Sequence, residues 1–294
     1  MRQMDMLKKV ILNLVIMIVS LLVAQSSYAT SLIKGIYLTQ YTLEDTAYLN
    51  YLIEHSKAVG INTFIIDLEK PGRRYQENIA LVKKNNIRYV ARIIMFPGGG
   101  TKEQVTNPNY WQAKYALVKQ AIDWGADEIQ MDYIRYNTEQ KPTPQNAQDI
   151  NQIIGWYKSR LNEYHIPLQL DVFGIASFGP SPYIGQDIKV FSSNADAMCP
   201  MVYPSHFEPF KEHAVKPYET VYDALAALKE QFPEGKIPFK LYPYIELSNY
   251  RYKLTHEQRL QYIVAQIRAA EDVGADGWYV WSPHNEYDPL FAVL

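Results

Sequence analysis

The sequence predicts an α/β fold, and within that class a (β/α)8 TIM barrel whose eighth helix is short or absent. Short β-rich runs alternate with amphipathic helical stretches along the chain, which is typical of right-handed crossovers and a parallel sheet. Eight such runs over about 250 residues favour a closed barrel over an open doubly wound sheet. Only 12 residues follow Ser282, the end of the last run, so little chain remains for an eighth helix.

The strands follow one another as runs of β-branched, aromatic and other apolar residues. They are predicted at 34–41, 62–69, 88–96, 127–134, 168–174, 196–203, 237–246 and 277–282. Helical patterns lie between them at 46–59, 108–124, 144–163, 217–231 and 256–273. Asn107 before Pro108, and Thr255 before the last of these patterns, are typical residues for a helix start.

The N-terminal residues have a different character from the rest of the chain. Three basic residues lie within positions 1–9, an apolar run fills 10–24, and Ser27 and Ala29 are the small residues expected before a cleavage site. This order predicts a secretory signal peptide over residues 1–29, with an uncleaved membrane anchor as the alternative. We therefore expect residues 30–294 to form one exported barrel domain, periplasmic or extracellular, that contacts a membrane only if cleavage does not occur.

Composition excludes several classes of function. The chain has 29 Lys and Arg against 31 Asp and Glu, with a formal net charge of −2, which argues against a nucleic-acid partner. One cysteine and the lack of any H-x-x-x-H pair give no support to a disulfide framework or a zinc site. No G-x-G-x-x-G or G-x-x-x-x-G-K motif occurs, so we expect no nucleotide cofactor. Because the histidine and cysteine patterns do not support a metal site either, we expect no metal.

A register argument predicts where functional residues lie. Three helix-to-strand junctions begin with a glycine that suits a helix C-terminus: Gly60, Gly125 and Gly274. Seven residues beyond each glycine lie Asp67, Asp132 and Trp281. Equal offsets predict equal heights, near the carboxyl ends of strands two, four and eight, where barrels of this kind build their active sites.

Side-chain alternation along the strands adds further inward groups to this level. The predicted set is Tyr37, Asp67, Glu69, Arg92, Asp132, Asp171, Tyr203, Glu246 and Trp281. Paired carboxyl groups beside aromatic rings suit cleavage of a glycosidic bond, with one carboxyl as acid and the other as nucleophile or base. Crowding of like charges raises the pKa of one of them.

Asp132, Asp171 and Glu246 are the catalytic candidates. Asp132 and Asp171 lie on neighbouring strands and are expected to be close, whereas Glu246 would leave the wider gap of an inverting enzyme. The residues predicted to bind substrate are Tyr37, Asp67, Arg92, Arg135, Tyr203 and Trp281.

The run from Asp127 to Arg135, D-E-I-Q-M-D-Y-I-R, resembles the D-E-I-Q-x-D-Y-I-R signature of a bacterial glycosyl hydrolase domain family. Shorter matches at Lys34–Thr39, Asp171–Gly174 and Pro200–Ser205 extend the resemblance over most of the chain. It implies a TIM barrel similar to α-amylase-type glycosidases, in which the nucleophile is an aspartate at the end of strand four, the position of Asp132. Their acid is a glutamate on strand five, where this chain has Asp171, so Glu246 and Glu69 remain alternatives.

A chitinase-type mechanism is not expected. Its strand-four motif, D-x-x-D-x-D-x-E, would place Gln130 at the middle aspartate and Ile134 at the glutamate that donates the proton. The leading hypothesis is therefore an exported glycoside hydrolase that acts on a polysaccharide or cell-envelope glycan. The alternatives are a carbohydrate-binding barrel without catalysis and a hydrolase or lyase that holds Mg²⁺ or Ca²⁺ through Asp67, Asp132 and Asp171.

Overall fold

A closed barrel of parallel strands forms the centre of the protein, in a computed structural model that describes residues 32–294. The predicted signal peptide at 1–29 lies outside the described residues. The strands are β1 (Ile33–Leu38), β2 (Thr63–Asp67), β3 (Arg88–Ile94), β4 (Glu128–Asp132), β5 (Leu168–Phe173), β6 (Ala197–Met201), β7 (Lys240–Leu241), β8 (Tyr244–Glu246) and β9 (Gly277–Trp281). The strands pair in parallel around the ring, with β7 and β8 sharing the seventh position. The pairing of β9 with β1 closes the ring, which confirms the predicted barrel.

The seventh position of the barrel differs from the prediction of one strand over 237–246. It consists of the two short strands β7 and β8, separated by Tyr242 and Pro243. Proline has no backbone N–H to donate to the sheet, so a continuous strand is interrupted there. Consequently β8 pairs with both β6 and β9, while β7 pairs with β6 alone.

Helices surround the barrel in the order expected of repeated βα units. Their bounds are α1 (Gln40–Glu44), α2 (Thr46–Ala58), α3 (Arg73–Lys84), α4 (Lys102–Thr106), α5 (Pro108–Gln112), α6 (Tyr115–Asp123), α7 (Pro144–Leu161), α8 (Ile188–Phe191), α9 (Phe210–His213), α10 (Pro217–Glu230), α11 (His256–Asp272) and α12 (Asp288–Phe291). The helix predicted over 108–124 is divided into α5 and α6. The eighth helix, α12, has four residues, which confirms the prediction of a short one.

The helix boundaries follow from local chemistry. The Thr255 side chain accepts from the backbone N–H of Gln258, whose side chain accepts in return from the N–H of Thr255, and this capping box starts α11. Gly60, Gly125 and Gly274 have φ values of 77°, 82° and 73°, the left-handed conformation in which glycine ends a helix without strain.

A polar layer fills the barrel below its carboxyl end. The Gln130 side chain donates to Gln169 Oε1 at 2.9 Å, and Gln169 donates to Glu128 Oε2 at 2.6 Å. The Tyr244 hydroxyl donates to Gln130 Oε1 at 2.9 Å. Because these buried groups satisfy one another, the layer provides a fixed floor for the side chains above it. Between residues 32 and 294, none of the helices is long and apolar enough to cross a membrane.

Candidate active site

Arg92, on β3, lies at the centre of a cluster of three aspartates at the carboxyl end of the barrel. Its Nη1 is 2.5 Å from Asp67 Oδ1, its Nε is 3.1 Å from Asp171 Oδ2, and its Nη2 contacts Asp132 Oδ2. Burial lowers the pKa of Arg92, but the three carboxylates raise it well above its ordinary value overall. Arg92 therefore stays charged and fixes the three aspartates relative to one another.

The strand register explains why these aspartates meet. Asp67 pairs with Arg92 across β2 and β3, and Arg92 pairs with Gln130 on β4, two residues before Asp132. In a TIM barrel with a shear of eight, the strands are tilted. Residues at the same height on adjacent strands are therefore offset by about one residue from the hydrogen-bonded pairing. Asp67 and Asp132, two strands apart, therefore share one level, as the equal glycine offsets predict.

Asp132 ends β4 beside a strained residue. The next residue, Tyr133, has a φ of 52°, in the left-handed region that bulky residues rarely adopt. This conformation lets the Tyr133 N–H donate to Asp132 Oδ1 at 2.6 Å, while Asp132 Oδ2 contacts Arg92. Both oxygens of Asp132 therefore accept hydrogen bonds, and these hold the carboxylate in one orientation.

Asp171, on β5, lies next to Asp132 but in a poorer polar environment. The register that pairs Met131 with Leu170 places the two aspartates side by side on adjacent strands. Asp171 is 2% exposed, and its Oδ1 is buried without a hydrogen-bond partner. Burial and the charge of Asp132 raise the pKa of Asp171 well above its ordinary value, against the opposing effect of Arg92. The proton is therefore retained on this carboxyl group at a pH where free aspartate has lost it.

Tyr37 and Asp67 support the cluster from β1 and β2. The Tyr37 hydroxyl donates to Asp67 Oδ2 at 2.5 Å, and its ring lies 5.1 Å from the Arg92 guanidinium carbon. Burial, and then the charge of Asp67, raise the pKa of Tyr37, so the hydroxyl stays a donor. Asp67 is thus shared between Tyr37 and Arg92, and it does not line the cavity described next.

A cavity of about 120 Å³ opens above this cluster. Six of the predicted site residues line it: Tyr37, Arg92, Asp132, Asp171, Tyr203 and Trp281. The rings of Tyr203 and Trp281 stack with their centroids 5.3 Å apart and their planes at 22°. The cavity therefore combines two adjacent carboxyl groups with flat aromatic faces that can contact the C–H surfaces of a sugar.

Glu246 lies at the end of β8 but does not line the cavity. Its carboxylate is fully buried and accepts from the backbone and hydroxyl of Ser205 at 2.8 and 2.9 Å, and from the Tyr262 hydroxyl of α11 at 2.7 Å. The alternation predicted an inward side chain. Its side-chain partners lie instead on α11 and on the loop after β6, so the carboxylate of Glu246 joins these two elements to β8.

The two remaining predicted residues lie at the edge of the site. Glu69 is exposed beyond β2, where its backbone N–H donates to Gln40 Oε1 at 3.2 Å. Arg135 lies just beyond β4, and its guanidinium packs against the rings of Tyr133 and Phe173, both of which line the cavity. Neither residue lines the cavity itself.

Sequence reasoning missed four cavity-lining residues: Tyr133, Phe173, Met201 and Tyr244. Three of them lie two residues from a predicted inward group on the same strand, so alternation could have found them. These pairs are Phe173 with Asp171, Met201 with Tyr203, and Tyr244 with Glu246. Tyr133 could not be found in this way, because its left-handed backbone turns a side chain that alternation places on the outer face.

The three aspartates proposed as ligands for a hard cation are instead joined by Arg92, which lies among them. Within residues 32–294, no group of three or more His, Cys, Asp and Glu side chains is arranged to hold a metal ion.

Comparison with models of known protein families assigns the chain to one of them. Residues 100–287 match the model of the family described as "Putative glycosyl hydrolase domain". The chain belongs to this family. The match starts at the loop after β3 and ends before α12, so it includes Asp132, Asp171 and most of the cavity wall. No curated protein matches the chain.

Solved structures share the fold of this chain at low sequence identity. The spore cortex-lytic enzyme SleL of Bacillus megaterium QM B1551 is 11% identical, with a TM-score of 0.63 over 90% of this chain and 74% of that one. A chitinase from Chromobacterium violaceum is 12% identical, with a TM-score of 0.61 over 90% of this chain and 98% of that one. An endo-β-1,4-mannanase from Thermotoga petrophila is 12% identical, with a TM-score of 0.62 over 85% of this chain and 67% of that one. These similarities establish the barrel.

Proposed function

We propose that this protein is a glycoside hydrolase that acts on a polysaccharide or a cell-envelope glycan. One observation carries the proposal: Asp171, whose buried carboxyl group has a raised pKa, lies beside the hydrogen-bonded Asp132 in a cavity with aromatic walls. Glycosidases need this pair, one carboxyl group protonated and its neighbour charged. Membership of the glycosyl hydrolase domain family supports the same activity.

In the proposed reaction, Asp171 gives its proton to the glycosidic oxygen as the bond to the anomeric carbon breaks. Asp132 supplies the nucleophile, either by attacking the anomeric carbon itself or by taking a proton from water. Arg92 contacts both carboxyl groups and positions them, while its charge offsets the repulsion between them. Tyr203 and Trp281 provide the stacked surface against which the sugar ring lies.

The test compares two aspartate variants of the purified protein on a panel of polysaccharides and cell-wall glycans. Asp132→Asn should reduce the release of sugar by at least about 10³-fold, because the nucleophile or base is lost. Asp196→Asn is the matched control: Asp196 pairs with Lys158 at 2.6 Å at the opposite end of the barrel, so activity should stay within about twofold. Full activity of a folded Asp132→Asn protein refutes the assignment.

The same assay separates the hydrolase from a carbohydrate-binding barrel without catalysis. A binding module retains a glycan without releasing sugar, and Asp132→Asn does not change what it releases. The sequence favours this alternative through the aspartate at the position of the strand-five glutamate and through the short eighth helix. The raised pKa of Asp171 supports the hydrolase, because it suits that aspartate to act as a general acid.

We further propose that the protein is exported, on the basis of the charged, apolar and small-residue order within residues 1–29. N-terminal sequencing of the protein recovered from cells should then begin at Thr30, in the periplasmic or extracellular fraction. A first residue of Met1 in a cytoplasmic fraction contradicts export.

A further inference from the structure

Arg135 does not line the cavity, but its guanidinium packs against two rings that do. It lies three residues after Asp132, beyond the end of β4, and its guanidinium carbon is 5.5 Å from the ring centroid of Tyr133 and 5.0 Å from that of Phe173. Both rings line the cavity, and Phe173 is 40% exposed. The charge of Arg135 therefore lies directly behind two rings of the cavity, three residues along the chain from Asp132.

Among the described residues, Arg135 has no carboxylate partner, in contrast to Arg92 with its three. Its one hydrogen bond runs from Nη1 to the carbonyl oxygen of Tyr136 at 2.9 Å, and its Nε is buried without a partner. Only 9% of the residue is exposed. Burial lowers the pKa of Arg135, against the raising effect of Tyr133 and Asp132. A buried guanidinium without a counterion destabilises the folded state, so its presence beside the cavity needs an explanation.

The surrounding backbone holds Arg135 in one place. A Cβ on Gly99 would lie 2.5 Å from Arg135 Nη1, so only glycine lets the loop after β3 pack this closely. The next residue, Gly100, donates its N–H to the carbonyl oxygen of Arg135 at 2.9 Å. The Nη1 side is thus covered by protein and Nε is buried, so Nη2 is the nitrogen without a hydrogen-bond partner that a ligand can reach. A carboxylate oxygen can accept from Nη2 in a charge-assisted hydrogen bond.

We propose that Arg135 determines specificity by binding the carboxylate of an acidic sugar, so that the substrates of this site are glycans that carry carboxyl groups. The inference rests on the proposed function, because it places the acidic residue beside the bond that Asp132 and Asp171 cleave. The rings of Tyr133 and Phe173 exclude water from one side of the guanidinium, which strengthens its attraction for an anion. Asp132 repels that anion, and Arg135 offsets the repulsion.

The experiment measures binding of matched oligosaccharides by calorimetry. The probes are oligomers of galacturonate and of mannuronate, each beside its carboxyl-reduced neutral counterpart. The protein should bind an acidic oligomer at least tenfold more tightly than its neutral counterpart, and the preference should shrink as salt is raised. Arg135→Gln should abolish the preference while changing the affinity for the neutral oligomer by less than twofold. Arg135→Lys keeps the positive charge but lacks the planar guanidinium group, so it should retain part of the preference for the acidic oligomer.

Arg160→Gln is the matched control. Arg160 also packs on an aromatic ring, 3.4 Å from the centroid of Trp156, but it lies on α7, away from the cavity, so its loss should leave the preference unchanged. Three results overturn the proposal: no tighter binding of an acidic oligomer by the unmodified protein, a preference that survives in folded Arg135→Gln, and an equal loss for acidic and neutral oligomers. The last result would mean that Arg135 only balances the charge of Asp132.

Failure of this proposal is distinguishable from failure of the proposed function. Acidic preference without any sugar release by the unmodified protein rejects hydrolysis and retains the role of Arg135 in binding. Sugar release with equal affinity for both members of each pair rejects the role of Arg135 and retains hydrolysis.

Discussion

The chemistry of the site depends on how one guanidinium is shared among three carboxyl groups. Asp67 has Tyr37 as a second partner, and Asp132 has the N–H of Tyr133, whereas Asp171 has only the contact with Arg92 Nε at 3.1 Å. Burial destabilises the charged form most strongly in the carboxyl group that accepts the fewest hydrogen bonds. Burial, and then the charge of Asp132, raise the pKa of Asp171, and this makes Asp171 the candidate for the proton donor.

Asp171→Asn tests this assignment through pH. Because the general acid must be protonated, hydrolysis by the unmodified protein should fall as pH rises through the raised pKa of Asp171. Asp171→Asn should lower kcat by about 10²- to 10⁴-fold on unactivated substrates and should remove that alkaline decline from the residual rate. The pH–rate profiles of both proteins are the measurement. An alkaline decline that persists unchanged in the variant shows that another group is the acid.

Stability gives a second measurement of the same pKa. The native pKa of Asp171 is raised, so above the unfolded pKa of about 3.9 the native state holds a proton that the unfolded state has lost. The contribution of Asp171 to stability is therefore fully present below that pH and declines as pH rises toward the native pKa. Urea denaturation across this window should show a decline in the unmodified protein that is weaker in Asp171→Asn. Equal slopes contradict a raised pKa.

At the residue scale, the sequence predicted the cluster well where strands are regular. Asp67, Arg92, Asp132 and Asp171 lie on unbroken strands, so alternation and equal offsets located them. Glu246 follows the interruption at Pro243, and the contacts of its side chain with α11 could not be read from a period of two. That the raised pKa belongs to Asp171 could not be predicted either, because it depends first on the burial of this carboxyl group and then on the charge of Asp132.

At the scale of elements, the loop between β3 and α4 connects the site to its rim. Gly100 forms an isolated parallel bridge with Tyr136, and the Asn137 N–H donates to Gly100 at 3.0 Å. This bridge extends the pairing of β3 with β4 beyond the strands themselves. The loop thereby fixes the segment that follows Asp132, including Arg135, at the height of the cavity.

Gly99→Ala and Gly98→Ala form a matched pair that measures this packing. Both glycines have positive φ, 100° and 77°, so alanine at either should cost about 1–2 kcal/mol in conformation. Nothing lies within 4 Å of a Cβ on Gly98, whereas one on Gly99 would lie 2.7 Å from Asn137 N and Tyr136 O. Gly99→Ala should therefore cost an additional 1–3 kcal/mol or so of unfolding free energy, measured by urea denaturation. Equal costs mean that the loop moves away freely.

Element boundaries were predicted to within a few residues for most strands and helices because glycine and capping residues mark them. The helix α3 was not among those predicted, and two further differences have local causes. Pro243 divides the seventh strand. The helix predicted over 108–124 is interrupted between Gln112 and Tyr115, although the pattern of apolar residues continues across the interruption.

At the scale of the whole molecule, the barrel closes where β9 meets β1, and the C-terminal residues hold that closure in place of a full eighth helix. Asn285, fully buried, accepts from the Thr39 N–H at 2.8 Å and donates to the carbonyl oxygens of Tyr37 and Ser282 at 3.2 and 2.9 Å. The Tyr287 hydroxyl donates to the same carbonyl of Tyr37. The segment after β9 thus fixes the strand end from which Tyr37 enters the cavity.

Asn285→Ala should therefore weaken both the fold and the site. The change leaves the Thr39 N–H without its acceptor and places alanine at a φ of 55°, for a combined cost of about 2–4 kcal/mol in unfolding free energy. Asn285→Gly removes the same hydrogen bonds without the conformational cost, so it should lose less. Asn50→Ala, on the exposed face of α2, should change stability by less than about 0.5 kcal/mol. If both Asn285 variants are as stable as Asn50→Ala, the C-terminal segment does not hold the closure, and the position of Tyr37 depends on β1 and Asp67 alone.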